Sequence, residues 1–232
     1  MFDGPNSKGL SRKAIFREIE GTLKRLQTDY LDLYIIHHFD PNTPLEETMK
    51  ALHDLVQMGK VRYIGASSMY SWQFLKAQTI AKENGWTPFI SMQNLYNLIY
   101  REEEREMIPL LKDQKVAMTP WSPLAKGKLA RLDQAQTNRS LNDGIADRFF
   151  PESKSDQKII QRVRELADKR NVSPAQIALA WKFSKNYVTS VLIGSSKIKH
   201  IDDAISALDI TLTKEEIDYL EEPYVPHAKA GF

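Results

Sequence analysis

The chain has 232 residues, 42% of them apolar, and 32 Lys and Arg against 30 Asp and Glu, which allows one large domain or two small ones with a sizeable core. Acids and bases are interspersed with no basic stripe, so nucleic acid is not an expected partner. The chain has no cysteine, which excludes disulfides, thiolate nucleophiles and cysteine-held metals, and no apolar run approaches the ~18 residues of a membrane span.

The first residues, MFDGPNSKGLSRK, lack the apolar core of a signal peptide, and a cytoplasmic setting with no membrane partner is expected. Ser11 caps a predicted helix to about Leu26, with Ile15, Ile19, Leu23 and Leu26 on one face. Tyr30–Asp40, YLDLYIIHHFD, begins as a short apolar strand and ends in His37 and His38, followed by turn formers. Thr43-Pro44-Leu45-Glu46 reads as a capping box with proline at the first helical position. Its helix turns Met49, Leu52 and Val56 inward and stops at Gly59.

Val61–Ala66 is a second predicted strand, ending in Ser67-Ser68. Ser71 caps a third helix, ended by Asn84-Gly85. Phe89–Gln93 is a third strand. A charged helix starts near Glu102, is kinked or cut by Pro109, and shows a solvated face with Glu103, Glu104 and Arg105. Val116–Trp121 is a fourth strand. Leu124 to about Ser155 is polar and without clear periodicity, a length that in compact domains is functional or disordered. Helices follow over Asp156–Lys169 and, from a Ser173…Gln176 capping box, through Trp181. Val188–Ile193 is a fifth strand, running into Gly194-Ser195-Ser196. Helices around Ile198–Leu208 and, after a Thr213…Glu216 capping box, Ile217–Leu220 precede an irregular tail.

Strand alternating with helix means a parallel sheet with helical crossovers. An open dinucleotide-binding sheet calls for a G-x-G-x-x-G turn after a strand, which this sequence lacks. A (β/α) barrel places polar groups at the C-terminal ends of successive strands. Five predicted strands do so, through His37, Ser67-Ser68, Gln93-Asn94, Trp121-Ser122 and Gly194-Ser195-Ser196. Each has a plainer reading alone: an interior histidine, a helix cap, amides bonding strand-end backbone, a core tryptophan, an ordinary βα turn. The series in order favours the barrel.

The stretches GLSRKAI (Gly9–Ile15), YLDLYIIHHFD, GKVRYIGASSM (Gly59–Met69), FISMQNLYN (Phe89–Asn97), TPWSPLAKGKL (Thr119–Leu129) and VLIGSS (Val191–Ser196) together resemble the aldo-keto reductases. GLSRK and PWSPLA look most like the branch of aryl-alcohol dehydrogenase-like enzymes. The resemblance implies one α/β domain over residues 1–232. It would be a TIM (β/α)8-type barrel, incomplete, with about five C-terminal βα units and a C-terminal helix. It implies NAD(P)H-linked interconversion of small aldehydes or ketones and alcohols. Position by position, His37 matches the catalytic histidine that orients and polarises the carbonyl. Ser67, Ser68 and Gln93 match the partners of the nicotinamide carboxamide; the second serine is often Asn in the family. Trp121 matches the ring that stacks under the nicotinamide. Ser122, Leu124 and Lys126 match the pyrophosphate loop, and Arg131, Asn138 and Arg139 are further candidate contacts. Gly194, Ser195 and Ser196 match the start of an adenosine 2′-phosphate site. His200 stands where the family often has Arg, and Ala204 where it often has Asn. NADP is the cofactor the resemblance implies; the departures at His200 and Ala204 weaken the case for it over NAD, with Lys197 or Lys199 as alternative sources of positive charge.

The family's catalytic Asp, Tyr and Lys lie on or after the second and third barrel strands, and no residue here matches them. The resemblance implies that the first strands precede Met1 and that catalysis by this chain is impaired. The alternative function is a non-catalytic, nucleotide-binding or subunit-like relative. Five parallel strands also leave two unpaired edges, so the isolated chain is expected to be poorly stable, to aggregate, or to recruit another chain.

Overall fold

The computed structural model describes residues 8–130, 150, 153–195 and 197–228. Two compact units emerge, one from Met1–Asn94 with Glu106–Met118, the other from Leu95–Arg105 with Thr119–Gly231.

The first unit alternates α1 (Arg12–Leu26), β1 (Leu31–Ile36), α2 (Leu45–Gln57), β2 (Val61–Ser67), α3 (Ser71–Glu83), β3 (Phe89–Gln93), α4 (Met107–Gln114) and β4 (Ala117–Met118). The strands form one sheet in chain order, every pairing parallel. Register explains which side chains reach the core. Ile36 pairs with Ala66 and Tyr34 with Ile64; Phe89 pairs with Ile64 and Met92 with Ala66. Except for the half-buried Tyr34, this face is buried, together with Met49, Leu52, Leu55, Phe74 and Ala77 of the helices. On the opposite face, paired Leu33 and Tyr63 are exposed. Glycine is required at Gly65, where an added Cβ would stand 2.3 Å from Ser91 Oγ on the paired strand.

Local chemistry sets the helix ends, not always as the sequence leads one to expect. Ser11 accepts the Ala14 N–H at 3.3 Å and caps α1 as predicted. Thr43 does not cap α2: its hydroxyl donates to Asp40 Oδ2 at 2.7 Å, and Pro44 occupies the N-cap position without a side-chain bond. Tyr70, not Ser71, is the N-cap of α3, where Gln73 Oε1 accepts the Tyr70 N–H at 2.9 Å. Pro109 neither kinks nor ends a helix. It sits in the first turn of α4, where a missing N–H is harmless; the break from the preceding 3₁₀ turn, Glu102–Glu104, falls before it. The fourth strand keeps only Ala117–Met118 of the predicted Val116–Trp121, because Pro120 has no N–H to offer a ladder.

The second unit contains α5 (Lys154–Arg170), α6 (Pro174–Phe183), α7 (Ile198–Ser206) and α8 (Lys214–Glu221). Both predicted capping boxes form, Ser173 with Gln176 and Thr213 with Glu216. The predicted fifth strand, Val188–Ile193, does not. Val188 forms an isolated bridge and the Leu192 N–H donates to the Pro120 carbonyl at 3.1 Å, but these do not make a ladder, and Leu192 and Ile193 are exposed. The described residues thus hold four strands, not five.

The charged turn at Glu102 is not a solvated face either. Glu103 is buried. Glu102 Oε1 accepts the Tyr224 hydroxyl and the His227 N–H, both at 2.7 Å. Glu104 accepts the Tyr96 hydroxyl at 2.6 Å and both forks of Arg101. The described part of the tail, to residue 228, is irregular, as predicted, but pinned at Tyr224 and His227.

Candidate cofactor site

In the first unit the polar series falls at the C-terminal ends of β1, β2 and β3. His37 follows β1 directly and is exposed, with its ring 5.4 Å from that of His38. His38 Nδ1 is 2.9 Å from the Phe39 carbonyl, a geometry that places the ring proton on Nδ1. Asp40 then closes the turn. Its carboxylate accepts the Leu10 N–H and the Thr43 hydroxyl, each at 2.7 Å, and the Asn42 N–H at 2.9 Å. Burial pushes the Asp40 carboxyl up; the hydrogen bonds from Thr43, Leu10 and Asn42, with the nearby His38, outweigh it and hold the group below its ordinary value. The sequence marks Asp40 only as a turn former, and its partner Leu10 is 30 residues away.

Ser67 and Ser68 are buried at the end of β2. Ser67 donates to the Gln93 carbonyl at 2.5 Å, and the Ser68 hydroxyl lies 3.1 Å from Ser67 Oγ. The Ser68 N–H donates to Asn94 Oδ1 at 2.9 Å. Ser68 has φ +48°, in the left-handed region that Asn and Gly populate more readily. The half-buried Gln93 beside them keeps its amide side chain at the strand end. Asn94, fully buried, is thus a backbone support, the plainer of its two readings.

In the second unit, half-buried Trp121 forms a parallel bridge with Leu95. The loop after it carries left-handed backbone at Ser122 (φ +52°), Ala125 (+47°), Lys126 (+57°) and Gly127 (+94°). Left-handed backbone at three non-glycine residues in one short loop is a conformation that costs free energy. The Ser122 carbonyl accepts Asn97 Nδ2 at 2.9 Å, and its hydroxyl accepts the Lys126 N–H at 3.3 Å. Asn97 is a supporting residue that sequence reasoning missed; the sequence shows only an amide inside the apolar run LYNLIY, and the structure shows it fully buried. Leu124 is partly buried and packs against Leu179, Ala204 and Ala207. Lys126 is exposed.

Gly194 and Ser195 lie exposed before α7, and Ser195 Oγ donates to the Lys197 carbonyl at 2.6 Å and accepts its N–H at 3.1 Å. His200 is exposed in the first turn of α7. Ala204, where the family often has Asn, is buried against Leu179. Ser196, Arg131, Asn138 and Arg139 lie outside the described residues. No described helix is long and apolar enough to cross a membrane.

Residues 1–224 match the model of the aldo/keto reductase family. The chain is 47% identical over 231 residues, 99% of its length, to an aldo-keto reductase of Fusarium vanettenii. It is 49% identical over 226 residues, 96% of its length, to the versiconal hemiacetal acetate reductase of Aspergillus parasiticus. It is 48% identical over 223 residues, 95% of its length, to a putative aryl-alcohol dehydrogenase of Schizosaccharomyces pombe. It spans 62%, 65% and 62% of those three relatives, respectively. With a family match over nearly all its length and a parallel βα repeat that fits the family's TIM-barrel architecture, the chain belongs to the aldo/keto reductase family.

Proposed function

We propose that this chain holds NADP and serves an oxidoreductase that interconverts small aldehydes or ketones and alcohols, in a cytoplasmic setting. The observation that carries the reading is the series of polar strand ends, His37, Ser67-Ser68 and Gln93, together with the strained loop after Trp121. Within each unit, the residues offer groups suited to one part of a nicotinamide dinucleotide. Ser68, Ser67 and Gln93 offer hydroxyl and amide groups to a carboxamide. Trp121 offers a ring face. Ser122, Lys126 and the backbone at Leu124 suit a pyrophosphate, since left-handed turns present N–H groups to anions. Gly194, Ser195, Ser196 and His200, with Lys197 or Lys199, suit a 2′-phosphate; NAD is the second candidate.

The bound nicotinamide would supply or accept the hydride, while a proton is gained or lost at the substrate oxygen. His37, exposed at the end of β1, would orient that oxygen by hydrogen bonding. A second reading, nucleotide binding without turnover, rests on one sequence observation: only His37 matches the family's Asp, Tyr, Lys and His set. Titrating the chain with NADPH while following tryptophan fluorescence, with Trp121→Phe as control, tests both. Saturable quenching that Trp121→Phe diminishes, with aldehyde-dependent NADPH oxidation, supports the first reading. Quenching without oxidation leaves the second. No binding of NADPH or NADH overturns both.

A further inference from the structure

We infer that His227 and Asp156 are positioning residues for the loop after Trp121, a charged latch that holds the loop through Lys128 while His227 carries its proton. His227 Nε2 lies 3.1 Å from Asp156 Oδ1, and the two side chains are 18% and 7% exposed. Neither of these buried atoms has another hydrogen-bond partner among the described residues, so each depends on the other. The backbone of His227 is fixed separately: its N–H donates to Glu102 Oε1 at 2.7 Å, and the same oxygen accepts the Tyr224 hydroxyl. The Tyr224 ring stands edge-on to the imidazole at 5.6 Å. Two buried carboxylates thus face His227, Asp156 from the first turn of α5 and Glu102 from its 3₁₀ turn. The cations around them are Lys128 near Asp156, Arg105 at 3.2 Å from Glu102 Oε2, and Arg101 over the Tyr224 ring.

Asp156 is the joint between tail and loop. Burial pushes its carboxyl up, and the positive charges of His227 and then Lys128 oppose that push. Lys128 ends the left-handed turn: its N–H donates to the Ala125 carbonyl at 3.1 Å, while its Nζ donates to the Phe150 carbonyl at 2.6 Å. A buried carboxylate that loses a countercharge is costly. With His227 neutral, Lys128 is the countercharge left to Asp156, and drawing its ammonium away from Phe150 shifts the end of the loop. Histidine changes charge between about pH 5 and 8. The latch therefore holds the loop on the acid side of that range and loosens toward the alkaline side.

Hydrogen exchange of the full chain tests the latch. The amides of Gly127, Lys128 and Leu129 donate to the Leu124 and Ala125 carbonyls. Their protection, corrected for intrinsic exchange, should fall about tenfold from pH ~6 to pH ~8, the factor set by a one-unit difference in proton affinity between the held and the loosened loop. His227→Gln keeps a donor without charge, and Asp156→Asn keeps an acceptor without charge. Each should flatten that profile, while α6 stays equally protected in all three proteins. NADPH affinity should follow the same profiles, and only for that consequence does the inference rest on the cofactor reading. A flat parent profile, or one that both variants share, overturns the latch. So does NADPH affinity as pH-dependent in His227→Gln as in the parent. The expected exchange profiles with no NADPH binding at any pH would leave the latch standing and overturn the cofactor reading instead.

Discussion

Asp40 holds the Leu10 amide at 2.7 Å, and Gly9 stands against the same carboxylate: a Cβ on Gly9 would lie 2.4 Å from Asp40 Oδ2. Gly9 also has φ +85°, a conformation that costs other residues free energy. The clamp ties the start of α1 to the turn that follows His37 and His38. Thr48 reinforces it by donating to the Leu10 carbonyl at 3.0 Å.

Removing that carboxylate should therefore loosen both segments at once. Asp40→Ala leaves two amides and a hydroxyl without their charged acceptor and should cost about 3 kcal/mol. Gly9→Ala should cost about 1–2 kcal/mol through φ strain and the clash with Asp40. Urea unfolding of the three proteins checks both values; an unchanged midpoint for Asp40→Ala would remove the clamp from the account.

The clamp also has a pH signature. The folded Asp40 carboxyl titrates below its ordinary value. Its contribution is thus complete above the unfolded value near ~3.9 and disappears as pH falls through the lower, folded one. Thermal melts at descending pH should show less acid destabilisation in Asp40→Asn than in the parent, because the variant has no proton to take up. Parallel acid curves for the two would mean that other carboxylates dominate.

The helix caps show what sequence can and cannot reveal. Ser173 with Gln176 and Thr213 with Glu216 were legible because both partners lie within one turn. Thr43 with Glu46 has the same spelling, yet Asp40 takes the threonine hydroxyl, a competition that no local pattern displays. Glu102 looked solvated because its partners, Tyr224 and His227, are 122 and 125 residues away. At the candidate site the strand-end residues could be read from the apolar runs that precede them. Of the supports beneath them, Asn94 on Ser68 had its plain reading in the sequence, whereas Asn97 on Ser122 did not, since burial and long-range pairing make it what it is. Val188–Ile193 had the composition of a strand, but composition does not supply a ladder partner.

Ser68 offers a test that separates backbone from side chain. Its φ of +48° suits Asn and Gly better than Ser, and the family often has Asn at this position. Ser68→Asn should raise stability by up to about 1 kcal/mol. Ser68→Val, β-branched and without a donor, should lower it by about 2 kcal/mol. Chemical denaturation of the three proteins gives the order; Val equal to Ser would mean that the left-handed backbone at this strand end carries no strain.

Lys182 is the most exposed to a simple physical test because it is the least exposed to water. Its side chain is fully buried in α6, its Nζ has no hydrogen-bond partner among the described residues, and the ring of Tyr96 lies 5.7 Å away. Burial pushes its pKa well below the ordinary value. Between that lowered value and the unfolded value near ~10.4, the unfolded chain binds a proton that the folded chain does not. Lys182 therefore makes stability rise with pH across the window, by up to about 1.4 kcal/mol per pH unit. Lys182→Met keeps the length and apolar stem and removes the amine. It should stabilise the fold by about 2 kcal/mol at neutral pH, raise the melting temperature by about 6 °C, and flatten the pH dependence. A lower melting temperature for Lys182→Met at neutral pH, or a pH slope unchanged by it, would show that the buried amine is bonded after all.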